Sequence, residues 1–302
     1  MLEEVTSFLP TNKNKKLKIF DSTFGGGSYS LRFFDLGHEI FASELDEFAK
    51  TIIRGTEKLQ KLEKSKRFTL YHGNYSEVLN DFEDGYFDAI VADLGFSTIQ
   101  LTSSNRGFSY QKQNEVLDLR YDQSSGEACF YKISKLKDYS ELSKIIYTYS
   151  GEALSNKIAK VIFEIVKVER RSDVLSVVNA IDEIIFSQNK KNFNSILSRV
   201  WQALRIWTND EFGHLEKFLE TSIKKLNKNG RLIIVDFHSL EDKIITNFFR
   251  KVSKKNIIDD YGNFEKNYEH LTNKPVLPSE KEILENKPSR SAKLRVLEKL
   301  IN

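Results

Sequence analysis

Leu17-Lys18-Ile19-Phe20-Asp21-Ser22-Thr23-Phe24-Gly25-Gly26-Gly27-Ser28 is the stretch that decides the fold. A short apolar run ends on an acid, three glycines follow, and a helical pattern runs from about Ser28 to Leu36 before Gly37. This is a strand, a turn whose backbone lies open to a ligand, and a helix with a glycine C-cap. The rhythm repeats downstream. Glu39 to Ser43, Arg67 to Tyr71 and Phe87 to Ala92 read as strands, with a helical stretch from Asp46 toward Lys64. Short strands separated by helices call for right-handed crossovers and a parallel sheet. The expectation is an α/β, Rossmann-like core.

Beyond the fourth strand the rhythm breaks. Thr102 to Asp122 is polar and loop-like, and from Tyr139 to about Leu226 the apolar spacing is helical, as in Ile158, Ile162, Ile165 and Val166. A strand pattern returns at Arg231 to Val235, just after Asn229-Gly230. Helices between two strands of one sheet predict an inserted all-helical domain. We place it at residues 104–198, with the core formed by 1–103 and 199–302 and the run after Phe193 leading back to the sheet. A helix from Ser239 to about Lys254 follows, then an irregular stretch to Pro288 and a last strand from Ser291 to Glu298.

The composition is that of an ordinary globular protein, 40% hydrophobic and 29% charged. No apolar run approaches the length that crosses a bilayer. Met1-Leu2-Glu3-Glu4-Val5 is too acidic for a secretory signal. The single cysteine, Cys129, excludes an intramolecular disulfide and reads as a small buried side chain. A reducing, cytoplasmic setting is expected. The net charge of +3 is too small to identify a partner, so any nucleic-acid contact must come from local placement of cations.

Ligands of open α/β sheets sit beyond the carboxyl ends of the strands. Three of those ends carry acids: Asp21, Glu44 and Asp93. A pyrophosphate would be repelled there, which argues against a nicotinamide dinucleotide. S-adenosylmethionine carries an ammonium, a sulfonium and ribose hydroxyls and suits an acidic rim. Glu44 fits the ribose hydroxyls, and Asp21 or Asp93 the methionine end. In Asp93-Leu94-Gly95-Phe96, an acid could accept the proton of an exocyclic amine while Phe96 stacks on the base. The competing readings are caps for Asp21 and Glu44 and a core position for Phe96.

Further motifs then carry a resemblance. Asp21-Ser22-Thr23-Phe24-Gly25, Asp93-Leu94-Gly95 with Gln100-Leu101, Arg106-Gly107-Phe108-Ser109 and Leu117-Asp118-Leu119-Arg120 resemble the ribosomal RNA small subunit methyltransferase H (RsmH/MraW) family. So do Gln202-Ala203-Leu204-Arg205-Ile206, Phe237-His238-Ser239-Leu240-Glu241-Asp242 and Arg290-Ser291-Ala292-Lys293-Leu294-Arg295. The match runs in order over nearly the whole chain. It implies S-adenosylmethionine-dependent N4-methylation of a cytidine in the decoding region of small-subunit (16S) rRNA, with free rRNA or the 30S subunit as partner. It implies cofactor contacts at Gly25, Gly27, Ser28, Tyr29, Glu44, Tyr75, Asp93 and Gln100. The family usually has Gly where Ser28 stands and Asp where Glu44 stands, and a histidine-bearing segment ahead of Leu2-Glu3-Glu4-Val5. A divergent methyltransferase-fold RNA- or ribosome-binding protein with weak or altered activity is the alternative.

For RNA, the candidates are Arg106 with Phe108, a cation beside an aromatic, together with His238, Arg290, Lys293 and Arg295. A last strand would put Lys293 and Arg295 on one face, with a solvated edge strand as the bland alternative. Ser239 reads as the N-cap of its helix. No second histidine stands at ligand spacing, so no metal is expected. The sequence leaves monomer and homodimer open.

Overall fold

The computed structural model describes the chain except residues 12–15, 48–50, 52, 54, 96, 98–99, 102–104, 113, 187–191, 255, 258–263 and 302. Two compact units emerge. One joins Met1–Gly95 to Gly213–Asn302, and the other is Phe96–Phe212.

The first unit is built on a seven-stranded sheet in the order β3-β2-β1-β4-β5-β9-β8. Its strands are β1 Lys18–Asp21, β2 Glu39–Glu44, β3 Phe68–His72, β4 Phe87–Asp93, β5 Leu226–Asp236, β8 Tyr268–His270 and β9 Lys293–Lys299, and β6 Asn256–Ile257 pairs with β7 Phe264–Glu265 in a separate ribbon. Neighbours among β1 to β5 run parallel, while β9 is antiparallel to β5 and to β8. Strand order reverses beside β1, so the crevice lies between the ends of β1 and β4.

The apolar runs form strands because both sheet faces are covered. Ile19, Ile40, Ala42, Ala89, Val91, Ile233 and Val235 pack on one face, with Phe33 of the helix Ser28–Asp35. Phe20, Phe41, Ile90, Ala92, Leu232 and Ile234 pack on the other, with Phe218 and Phe249 from the helices Glu211–Lys225 and Ser239–Val252.

Three local expectations change. First, β5 begins at Leu226, and the Asn229-Gly230 turn signal lies inside the strand. Phe87 and Ala89 of β4 pair with Leu226 and Arg231, so the extra residues form an irregularity with Asn229 at φ +63. Second, β9 is not an edge strand, because β8 pairs on its far side. Third, the N-cap of Ser239–Val252 is His238. Its imidazole nitrogen accepts the Glu241 N–H, so Ser239 is already the first helical residue.

The second unit holds the helices Cys129–Lys135, Tyr139–Ser150, Ser155–Phe163, Val174–Phe186 and Phe193–Asn209. Its limits differ from the expected 104–198. The helix Phe193–Asn209 does not return to the sheet, because Ile196, Leu197, Val200, Trp201 and Leu204 bury into the helical core. Asp210, at φ +47, ends it, and the next helix sends Leu215, Phe218 and Leu219 to the sheet. Cys129 is buried among apolar residues, and burial pushes its thiol up to about 12.

The loop ahead of these helices is closed by Gly107. Its N–H donates to Glu115 at 2.8 Å, and its carbonyl accepts the Trp201 indole N–H at 2.8 Å. Its φ is +75, and a Cβ would fall 2.4 Å from the Val116 carbonyl oxygen. We therefore expect Gly107→Ala to destabilise the protein by about 2 kcal/mol or more, from left-handed strain plus the clash. Urea unfolding checks this, and a midpoint equal to the parent's would contradict it.

Candidate functional site

The glycine turn is stitched to the strands on either side of it. The Ser22 N–H donates to the Val91 carbonyl at 2.8 Å, and the Asp93 N–H to the Thr23 hydroxyl at 2.8 Å. The Phe24 N–H reaches the Ser43 carbonyl at 3.0 Å, and the Ser43 hydroxyl donates to the Ser22 carbonyl at 2.8 Å. Gly25 and Gly27 take φ values of +49 and +76. A Cβ at Gly27 would meet Leu59 Cδ2 at 2.6 Å and Phe24 Cζ at 2.9 Å, so the turn needs glycine on both counts. Ser28 is exposed at the start of the helix it opens.

Alternation places Asp21, Glu44 and Asp93 on one sheet face, each two residues past Ile19, Ala42 and Val91. Asp21 accepts the Ser30 hydroxyl at 2.6 Å through Oδ2. Its Oδ1, like Oδ1 of Asp93, is buried without a hydrogen-bond partner among the described residues. Burial pushes Asp21 up to about 6 against the pull of the Ser30 hydrogen bond. Burial, reinforced by the charge of Asp21, pushes Asp93 up to about 7. Tyr29 stands in hydrogen-bonding contact with Asp93, and burial with the charges of Asp93 and Asp21 pushes its phenol up.

Glu44 ties the end of β2 to the turn. Oε2 accepts the Gly25 N–H at 2.8 Å and Oε1 the Asp46 N–H at 2.9 Å. Burial raises its pKa, and those two N–H groups oppose the rise. Each carboxylate oxygen keeps a lone pair for a hydroxyl. Two acids with buried, open acceptor oxygens and a third held beside a glycine turn fit a ligand with positive charge and a diol. S-adenosylmethionine meets that description.

The remaining expected residues are dispersed. Tyr75 follows β3, after the Asn74 cap, and its ring meets Phe218 edge-on at 4.9 Å. Gln100 lies in the helical unit, where its Oε1 accepts the Ser97 N–H at 2.9 Å. Phe96 lies outside the described residues.

Arg106 and Phe108, expected on an open groove, are buried at 2% and 6% exposure. The Arg106 guanidinium donates to the carbonyls of Arg120 and Tyr121, and Phe108 stacks on Tyr121 at 5.7 Å. They hold the loop together. Arg295, also expected toward RNA, is buried: its Nε lies 2.9 Å from Asp242, and Nη1 donates to the Thr272 carbonyl at 3.2 Å. Lys293 pairs with the same carboxylate at 3.1 Å. Arg290 is exposed on the short turn Lys287–Ser291.

One acid escaped the sequence reading. Asp236 ends β5 fully buried, and neither of its carboxylate oxygens has a partner among the described residues. Burial, then the charges of Asp242 and Glu241, push it up to about 8. Its signal was available, since it closes an apolar run as Asp21 and Asp93 do. It points to the opposite face, however, after Leu232 and Ile234.

Among the described residues no helix is long and apolar enough to cross a membrane, and no group of three or more side chains is arranged to hold a metal.

Comparison with known proteins identifies the family. The family model described as the MraW methylase family matches residues 1–300. A protein of Caldicellulosiruptor saccharolyticus named Ribosomal RNA small subunit methyltransferase H is 35% identical over 308 residues, covering 99% of this chain and 98% of that protein. Proteins of the same name from Rickettsia bellii and Dictyoglomus thermophilum are 34% and 32% identical, over 99% and 100% of this chain and 97% and 96% of theirs. With a family match over nearly every residue and relatives covered almost end to end, the chain belongs to the MraW methylase family.

Proposed function

We propose that this chain transfers the methyl group of S-adenosylmethionine to the exocyclic N4 amine of a cytidine in the decoding region of small-subunit ribosomal RNA. The observation that carries the reading is the pair of acids, Asp21 and Asp93, each with a buried oxygen that has no partner among the described residues, on the face of the glycine turn. The names of the full-length relatives support the substrate. The non-catalytic alternative is not favoured, because the turn and all three acids are in place.

When bound, S-adenosylmethionine supplies an electrophilic methyl group on a positively charged sulfur. Asp21 and Asp93 offer negative charge to its cationic groups, and Glu44 accepts from the ribose hydroxyls. Gly25 and Gly27 leave the backbone bare, and Ser28 adds only a small side chain beside them. Tyr75 and Gln100 join these contacts on the resemblance alone.

Asp93 also acts on the acceptor. An exocyclic amine is a weak nucleophile while its lone pair is delocalised into the base. Asp93 accepts one of its N–H groups, holds the nitrogen in line, and takes the proton as the new bond forms. Its charged form, which a cationic cofactor favours, is the form that accepts the proton, and the contact with Tyr29 fixes its direction.

The unit Phe96–Phe212 is assigned to RNA recognition, and Arg290 is an exposed C-terminal cation that can meet phosphate. A ribosomal partner, free rRNA or the 30S subunit, puts the chain in the cytoplasm. Mass spectrometry of small-subunit rRNA from cells lacking the gene tests the assignment: one cytidine should lose the mass of one methyl group, and unchanged rRNA would refute it.

Asp93→Asn should lower kcat by about a hundredfold or more while moving cofactor affinity much less. Single-turnover methyl transfer and calorimetry separate the two effects, and equal loss in both would remove the proton-acceptor role. Cofactor binding should also depend on pH. Asp21 and Asp93 bind protons more tightly than ordinary aspartates, whereas a cationic ligand favours their charged forms. Affinity should therefore be full above about pH 7 and fall below it, by up to about tenfold per pH unit for each proton displaced. Calorimetry in buffers of different ionisation enthalpy should register proton release near neutrality. Binding with no proton release would count against both acids.

A further inference from the structure

The motif Phe237-His238-Ser239-Leu240-Glu241-Asp242 divides into parts with separate tasks. His238 caps its helix through Nδ1, which accepts the Glu241 N–H at 3.4 Å, and its Nε2 lies 3.2 Å from Glu241 Oε1. The other oxygen of Glu241 reaches back and accepts the Phe237 N–H at 3.1 Å. This is a variant of the capping box, with histidine in the place of serine or threonine and the return bond made to the amide one residue ahead of the cap. Asp242, one residue on, anchors Lys293 and Arg295 of β9. What the box holds still is the backbone of Phe237.

Phe237 is the first residue beyond β5. Asp93 is in register with Val235, so Phe237 stands two residues past the partner of the acid, on the strand beside it. Its ring packs on the face that carries Asp21 and Asp93, yet it stays partly exposed where Ile233 and Val235 are fully buried. Across from it Gly95 is exposed at φ +98, and a Cβ there would lie 3.8 Å from Phe237 Cδ2. A glycine edge therefore borders the ring where a side chain would otherwise cover it.

We propose that Phe237 is the aromatic surface on which the acceptor pyrimidine stacks, with His238 and Glu241 as its positioning residues. The proposal rests on the methyltransferase reading above and adds a second wall to its site. Aligning an exocyclic amine requires an acceptor near the plane of the base and a flat surface against its face. Asp93 supplies the first from β4 and Phe237 the second from β5. A phenylalanine has only two side-chain torsions, and its backbone is fixed by Glu241, so little freedom is lost on stacking.

The test uses the full chain and a decoding-region RNA with 5-iodocytidine at the acceptor position. Irradiation should cross-link Phe237, located by mass spectrometry of the peptides. In methyl transfer, Phe237→Leu should raise the RNA KM about tenfold or more and lower kcat, with cofactor affinity by calorimetry unchanged. Phe237→Tyr, which keeps a ring, should lose far less. Glu241→Ala, which removes the acceptor of the Phe237 N–H, should reduce the cross-link yield without moving cofactor affinity. A Phe237→Leu variant with the parent's KM and kcat overturns the proposal, as does an active parent whose cross-link never maps to Phe237. A parent that transfers no methyl group but cross-links at Phe237 overturns the methyltransferase reading alone.

Discussion

The hydrogen bond from the Asp93 amide to the Thr23 hydroxyl closes the seam where the strand order reverses. It fixes the relation of the glycine turn to the acid that faces it. Neighbouring bonds repeat the device, from Ser22 to Val91 on one side and from Phe24 to Ser43 on the other. Glu44 completes it by holding the Gly25 amide. The site is thus an edge of a sheet whose loops are laced to each other before any ligand arrives. That pre-organisation lets short side chains such as Asp21 and Asp93 act at fixed positions.

The lacing has an electrostatic cost. Burying a carboxylate without a full set of hydrogen bonds disfavours its charged form, and Asp21 and Asp93 both show the consequence. The two acids are near enough for the charge of one to raise the other. A cationic ligand would relieve both penalties together. The charged form that such a ligand favours is also the one that accepts a proton in methyl transfer to an amine.

The helical unit shows the opposite use of polar residues. Arg106 donates to two carbonyls, Asn209 bonds to Leu119 and Tyr121, and Arg205 pairs with Glu211 at 2.7 Å. The Arg106 and Asn209 bonds satisfy the backbone of a loop that lies outside any named strand. Motifs that look like nucleic-acid contacts in one dimension serve here as internal struts. At the C-terminus Asp242 likewise draws Lys293 and Arg295 inward, leaving Arg290 outside.

The sequence by itself determined the α/β core, the helical insertion, the glycine turn and the acids that follow β1, β2 and β4. Those features follow from local periodicity and from the rule that strand ends line the site, and both are written in neighbouring residues. It also carried the motifs that mark the family. Tertiary structure alone decided which charged side chains remain available, because that depends on partners distant in the chain: Asp242 for Arg295, the Tyr121 carbonyl for Arg106. It moved the limits of the helical unit, since the amphipathic helix Phe193–Asn209 finds its apolar match among helices and not on the sheet. It also set Asp236 and Asp93 on opposite faces and Phe237 beside Asp93, because strand register fixes which side chains share a surface.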